Sequence, residues 1–218
     1  MSRTERAQAV LFDYGGVLTA PIRDSISAWT TSEHIDPQSF SQVLKMWLGR
    51  AASPDSPIHR LERGELTADG FNALLTPELR SVDGGPVQPG HHLRGIFATS
   101  RVDANTVEVV RKLRADGVRT GLLSNSWGFS YDRKLLAELF DPIVISGEVG
   151  MRKPERRIFD LAVSRLGLDA AQVVFVDDAE PNLVGARAAG LQTVLHTDAH
   201  STARSLTALL TPALSPTS

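Results

Sequence analysis

Short, continuously apolar runs punctuate the chain: Ala9–Phe12 (AVLF), Arg119–Ser124 (RTGLLS), 142–146 (PIVIS), 173–176 (VVFV) and 192–196 (QTVLH). Runs of this kind read as strands buried on both faces, the habit of parallel sheets. Stretches of helical periodicity lie between them. In 107–116 the apolar positions Val107, Val109, Val110 and Leu113 share one face, and Gly117 follows as a stop. Arg156–Leu166 and 183–189 behave alike, ending at Gly167 and Gly190. Strand–helix alternation with right-handed crossovers predicts an open α/β sheet.

The alternation breaks between about residues 22 and 97, where the pattern is helical throughout. Helices are predicted at 22–35, at Pro37–Leu48 with proline in the first turn, and at 66–75 opened by Thr67. Gly/Pro-rich stretches at 53–57 and 83–90 divide this part. The expected organisation is therefore an α/β core of residues 1–20 and 98–210, a helical cap of residues 21–97 inserted after the first strand, and a flexible Pro/Ser/Thr-rich tail at 211–218. A length of 218 residues suits one domain carrying such an insert.

Composition narrows the function. Lys and Arg (23) nearly balance Asp and Glu (25), a net charge of -2, so no overall field draws nucleic acid or an anionic membrane. The chain has no cysteine, which removes disulfides, thiolate nucleophiles and Cys-ligated metal centres. That absence fits a reducing cytoplasm, the expected location. The apolar run near the N-terminus stops at Asp13, too short for a signal-peptide core or a membrane span.

In open α/β sheets ligands bind beyond the carboxyl ends of the strands. Asp13 follows the first run, Ser124 and Asn125 end the second, and Asp177 and Asp178 end the fourth; Lys153 lies in the connection after the third. Carboxylates, a hydroxyl and an ammonium thus converge on one edge, which makes sense as phosphoryl transfer. A carboxylate approaches an anionic phosphate only if a cation offsets the repulsion, and carboxylate oxygens suit Mg²⁺. Asp13 and Asp178 would supply those oxygens. Lys153 would add positive charge, and Ser124 with the amide of Asn125 would hold phosphoryl oxygens. Gly15 and Gly16 let the backbone approach the ion, and the Gly15 carbonyl is a further candidate ligand.

The order FDYGGVL, LLSN, GMRKPERRIF, VFVDDAEPNLVGARAAG resembles the haloacid dehalogenase (HAD) superfamily. It is most similar to the branch with bacterial sugar-1-phosphate phosphatases and the N-terminal phosphatase domain of soluble epoxide hydrolase. The stretch HRLERGELTADGF extends the likeness into the insert, resembling a helix–turn–helix of that branch's cap. The resemblance implies an open Rossmann-like parallel-sheet core with an inserted α-helical cap. It implies a Mg²⁺-dependent phosphatase acting on a small phosphorylated metabolite, with Asp13 forming a phosphoaspartyl intermediate. It further implies that Ser124 and Asn125 bind the phosphoryl group, that Lys153 neutralises it and orients Asp13, and that Asp178 is the direct metal ligand. Asp177 would be an outer partner of metal waters or of Lys153, although the doublet leaves the choice between the two open. Asn182 falls where the family often has an acidic residue or Asn.

One departure matters. Most phosphatases of the superfamily carry a second Asp two residues after the nucleophile, as acid and base; here that position is Gly15. General acid–base help is worth about 10²–10⁴-fold. Tyr14 is a poor substitute, since adjacent strand side chains point to opposite faces. Either the leaving group needs little protonation, or Glu62, Arg63, His59 or the substrate supplies the proton, or the chain binds a phosphorylated ligand or diphosphate with little turnover. Dehalogenase chemistry at carbon is the rival reaction. Of the remaining residues, His91 and His92 read as solvent-exposed in their Gly/Pro loop, and Trp29, Phe40 and Trp47 as the core of the cap.

Overall fold

The computed structural model describes residues 7–49, 51–127 and 131–210; the tail expected at 211–218 lies outside them. Strand β1 (Ala9–Phe12) leads into five helices: α1 (Ile22–Ser32), α2 (Pro37–Leu48), α3 (Pro57–Glu62), α4 (Ala68–Leu75) and α5 (His92–Phe97). Helix α6 (Ala104–Ala115) returns the chain to β2 (Arg119–Ser124), followed by α7 (Arg133–Leu139), β3 (Ile143–Ile145) and the single-turn α8 (Ser146–Val149). Helix α9 (Arg156–Leu166), β4 (Val173–Asp177), α10 (Glu180–Ala188), β5 (Gln192–Leu195) and α11 (Ala199–Leu209) complete the alternation.

The five strands form one parallel sheet in the order β3-β2-β1-β4-β5. Leu11 of β1 stands between Gly121 of β2 and Phe175 of β4. Successive strand residues serve opposite faces. Val10, Phe12, Val174 and Val176 pack with Val110, Leu136 and Leu206 of α6, α7 and α11, whereas Ala9, Leu11 and Phe175 pack with Phe159 and Leu183 of α9 and α10. Each such side chain contributes about 1.5–3 kcal/mol when fully buried, which is why the strands carry so few polar residues. From β1 the chain builds outward to β2 and β3, then crosses back to build β4 and β5 on the other side. The switch point, where α/β sheets bind ligands, therefore lies between β1 and β4.

Helices α1–α5 enclose a separate hydrophobic core containing Trp29, Phe40, Trp47, Ile58, Phe71 and Leu75, joined by Trp127 from the loop after β2. Trp29 meets Phe40 edge-on at 5.0 Å, and Trp47 meets Phe71 at 5.6 Å. The chain enters and leaves this helical insert side by side: Thr19 bridges Val102, and Leu18 O accepts from Asp103 N at 2.9 Å.

The structure differs from the sequence reading in several places. The helix expected to reach residue 35 ends at Ser32, because His34 turns into the left-handed region (φ 54°) and Ile35 bridges to Ser81. His92 is buried rather than exposed. It opens α5, its Nε2 lies 3.0 Å from Thr76 Oγ1, and its ring lies edge-on to Trp29 at 5.8 Å; His91 is the exposed member of the pair. Helix α5 went unpredicted because six residues display too little periodicity. Helices α7 and α11 also escaped, although each opens on a capping aspartate: Asp132 accepts from Leu135 N at 3.0 Å and Asp198 from Ser201 N at 2.8 Å.

Candidate active site

Asp13 sits just past β1, and its backbone N–H continues the ladder to Val176 O at 2.9 Å. Asp177 is the last residue of β4, so the switch point brings the two carboxylates together. Between them lies Lys153, which is fully buried. Its Nζ is 2.8 Å from Asp13 Oδ1 and 2.7 Å from Asp177 Oδ2, with the face of Phe175 5.2 Å below. The loop carrying Lys153 is held by Asn125: Lys153 N donates to Asn125 Oδ1 at 2.8 Å, and Asn125 Nδ2 donates to Lys153 O at 3.1 Å. The Asn125 side chain is thus spent on placing Lys153, which leaves only its backbone amide for the phosphoryl contact expected of it.

The two aspartates of the doublet have different surroundings. Asp177 is buried and saturated by donors: Ala179 N at 2.8 Å, Asn182 Nδ2 at 3.0 and 3.1 Å, and Lys153. Asp178 is exposed and lies against Gly16, whose φ of +76° and missing Cβ leave room for its carboxylate. One oxygen each of Asp13, Asp177 and Asp178 fall within 4.8 Å of one another. On Asp13, Oδ1 accepts from Tyr14 N at 2.7 Å and from Lys153, while Oδ2 has no donor among the described residues. Asp13 therefore presents one oxygen for chemistry and fixes the other.

Charge in this cluster is unbalanced, since three carboxylates face one buried ammonium. Burial, opposed by Lys153 and reinforced by Asp177 and Asp178, pushes the Asp13 carboxyl up to about 8. Burial and Asp177 likewise raise Asp178. Burial alone would lower Lys153, but its two carboxylate partners hold it above the usual lysine range. An all-oxygen donor set with surplus negative charge fits a hard divalent cation. Among the described residues, Asp13 Oδ2 and the Asp178 carboxylate accept no hydrogen bond from another residue's nitrogen.

Ser124 ends β2 and is buried, with its Oγ 3.1 Å from the hydroxyl of Tyr131. Tyr131 is a site residue that the sequence reading missed. Its phenol is pushed up to about 12 by burial and so stays protonated, and its ring meets Tyr14 edge-on at 4.8 Å. No local spacing could have found it. Beside Gly15 the space is open: a Cβ there would meet nothing within 4 Å. None of the three candidate replacement acids hydrogen-bonds to Asp13, Ser124 or Lys153. Glu62 pairs with Arg152 and accepts from Trp127, Arg63 forks onto Glu65 at 2.7 and 2.9 Å, and His59 Nδ1 lies 2.9 Å from Ser53 O.

A family model described as haloacid dehalogenase-like hydrolase matches residues 7–190. The chain belongs to this family of hydrolases. It is 27% identical to bifunctional epoxide hydrolase 2 of Rattus norvegicus over 89% of its own length and 37% of that protein's. It thus spans well under half of the first curated relatives it matches. It is also 27% identical to the sesquiterpene phosphatase astK of Aspergillus oryzae, covering 93% of this chain and 96% of the relative. Among solved structures, the HAD family enzyme bt-2542 of Bacteroides thetaiotaomicron, in complex with magnesium and inorganic phosphate, shares the fold. The TM-score is 0.62 at 22% identity, over 87% of this chain and 93% of that one. No described helix is long and apolar enough to cross a membrane.

Proposed function

We propose that this hydrolase is a Mg²⁺-dependent phosphatase that cleaves a small phosphorylated metabolite through a phosphoaspartyl intermediate on Asp13. The observation that carries the reading is the buried Lys153, shared by Asp13 and Asp177 while Asp178 waits at the open side. Asp13 and Asp178 would hold the cation, together with the Gly15 carbonyl, and Asp177 would serve as the outer partner that anchors Lys153. When bound, the cation supplies charge neutralisation between carboxylate and phosphate. Lys153 would orient the Asp13 carboxylate toward phosphorus, and it would offset charge on the phosphoryl oxygens. Ser124 and the backbone amide of Asn125 receive the remaining oxygens. The insert, residues 21–97, acts as the cap that excludes water and meets the leaving group.

Attack by the Asp13 carboxylate on phosphorus breaks the bond to the leaving oxygen, which departs as its anion, and water then cleaves the acyl phosphate to regenerate Asp13 and release phosphate. With open space at Gly15, the chain's own general acid is absent from its usual place. The reading therefore favours substrates whose leaving group is a weak base, such as acyl, anhydride or anomeric phosphates. The similarity to a sesquiterpene phosphatase supports the phosphoryl chemistry. The test is phosphate release across a panel of alkyl and anomeric phosphate esters, acyl phosphates and anhydrides graded by leaving-group pKa, with and without Mg²⁺, using Asp13→Asn as the blank. Metal-dependent release that vanishes in Asp13→Asn is the expected result; release that persists in the variant, or none from any member of the panel, rejects the mechanism.

A further inference from the structure

The turn that ends α3 is tied to both loops that flank the phosphoryl site. Glu62, the last residue of α3, is 3% exposed. Its Oε1 accepts from the indole N–H of Trp127 at 2.7 Å, and its Oε2 pairs with Arg152 Nε. Its carbonyl accepts from Ser146 Oγ at 2.5 Å, and the same Oγ accepts from Ser126 N at 2.7 Å. Gly64, at φ +73°, presses so closely on the core that a Cβ would lie 2.5 Å from Gly147 O. Ser126 and Trp127 directly follow Asn125, and Arg152 directly precedes Lys153. One carboxylate from the insert thus bridges the neighbours of two phosphoryl-site residues on separate loops.

A buried ion pair is a poor adhesive. Desolvation offsets most of its attraction, and replacing such a pair by apolar side chains of similar volume is often neutral or stabilising. If the contact served only to hold the insert down, Leu or Met would suffice. A carboxylate supplies direction, because each oxygen fixes one donor at one distance. We propose that Glu62 is a positioning residue. It sets Trp127 and Arg152, and through them Asn125 and Lys153, in the arrangement that receives a phosphoryl group. What is positioned rests on the phosphatase reading; the clasp itself rests on geometry alone. The insert is then a structural part of the site, which is complete only when the Glu62 turn is seated.

The discriminating variant is the apolar pair Glu62→Met with Arg152→Met, which keeps volume and removes direction; Glu62→Gln, which keeps an acceptor for Trp127, serves as the conservative rescue. Three quantities are read in the folded proteins: kcat and KM on the best member of the panel, Mg²⁺-dependent affinity for inorganic phosphate, and hydrogen exchange at the Ser126 and Lys153 amides against the β4 amides. The apolar pair should remain folded yet lose about tenfold or more in kcat/KM, as expected for small displacements of reacting groups. Phosphate should bind correspondingly more weakly, and Ser126 and Lys153 should exchange faster while β4 does not change. Glu62→Gln, whose one oxygen can still accept from Trp127 but whose amide NH2 cannot accept from Arg152, should recover the Ser126 exchange and only part of kcat/KM and phosphate affinity. An apolar pair with wild-type kcat/KM, phosphate affinity and exchange overturns the proposal. If the wild-type chain cleaves no member of the panel, the phosphatase reading fails and exchange alone decides: faster exchange in the apolar pair supports the clasp, and unchanged exchange overturns it.

Discussion

Lys153 has no exposed surface and two carboxylate partners, so its removal leaves Asp13 and Asp177 facing each other in a buried site. Breaking a buried pair by removing one partner costs about 3–5 kcal/mol. Lys153→Met should lose stability on that order in urea melts at pH 8, and Mg²⁺ should restore part of it. The aspartate doublet should separate under mutation. Asp178→Asn should weaken Mg²⁺ binding by about tenfold or more with little effect on the metal-free melting temperature. Asp177→Asn should instead lower the melting temperature, since it loses the ion pair with Lys153. Proton and cation compete for Asp13. Its folded pKa lies near 8, above the unfolded value of 3.8, so the protonated form stabilises the metal-free fold. That contribution is present at low pH and is lost as the pH rises through about 8. The Mg²⁺-induced rise in melting temperature should therefore be larger at pH 9 than at pH 6, by calorimetry; an equal rise at both would show that Asp13 is not a ligand.

Elements place these residues with unequal visibility in the sequence. The strands are legible because burial on both faces demands continuous apolar runs, as in Val173–Asp177, and α9 is legible because Ile158, Phe159, Ala162, Val163 and Leu166 repeat at helical spacing before Gly167. Helix α11 is not, since only Thr202 and Leu206 of its residues are buried and the apolar stripe is too thin to read. Asp13, Ser124, Lys153 and the doublet could be located because each lies at or after a strand end. Tyr131, Trp127 and Arg152 could not, because their partners are 7, 65 and 90 residues away. The turn after β1 makes its own prediction. Gly16 has φ +76°, and a Cβ would collide with the Asp178 carboxylate. Gly16→Ala should cost about 1–2 kcal/mol for the left-handed backbone and should weaken Mg²⁺ binding in titrations, because the displaced group is the proposed ligand.

Across the whole molecule, a parallel sheet gathers the carboxyl ends of all strands on one edge, and the Glu62 turn of the insert contacts the loops there. Rate should depend steeply on leaving-group pKa, because neither Gly15 nor the engaged Glu62, Arg63 and His59 offers a proton there. A flat dependence in the leaving-group panel would reveal an acid not accounted for by these residues; the Tyr131 hydroxyl, 3.1 Å from Ser124 Oγ, would then be the first to replace by Phe. The sequence by itself determined the five strands, the run of helices between the first and second of them, and the chemical character of the strand ends, because burial periodicity and strand-end placement are local properties. Only the tertiary structure decided which aspartate of the doublet is saturated and which lies open, that Asn125 holds Lys153, and that the insert reaches the phosphoryl loops through Glu62. Those outcomes depend on which donors meet each oxygen, and the donors come from parts of the chain that only folding brings together.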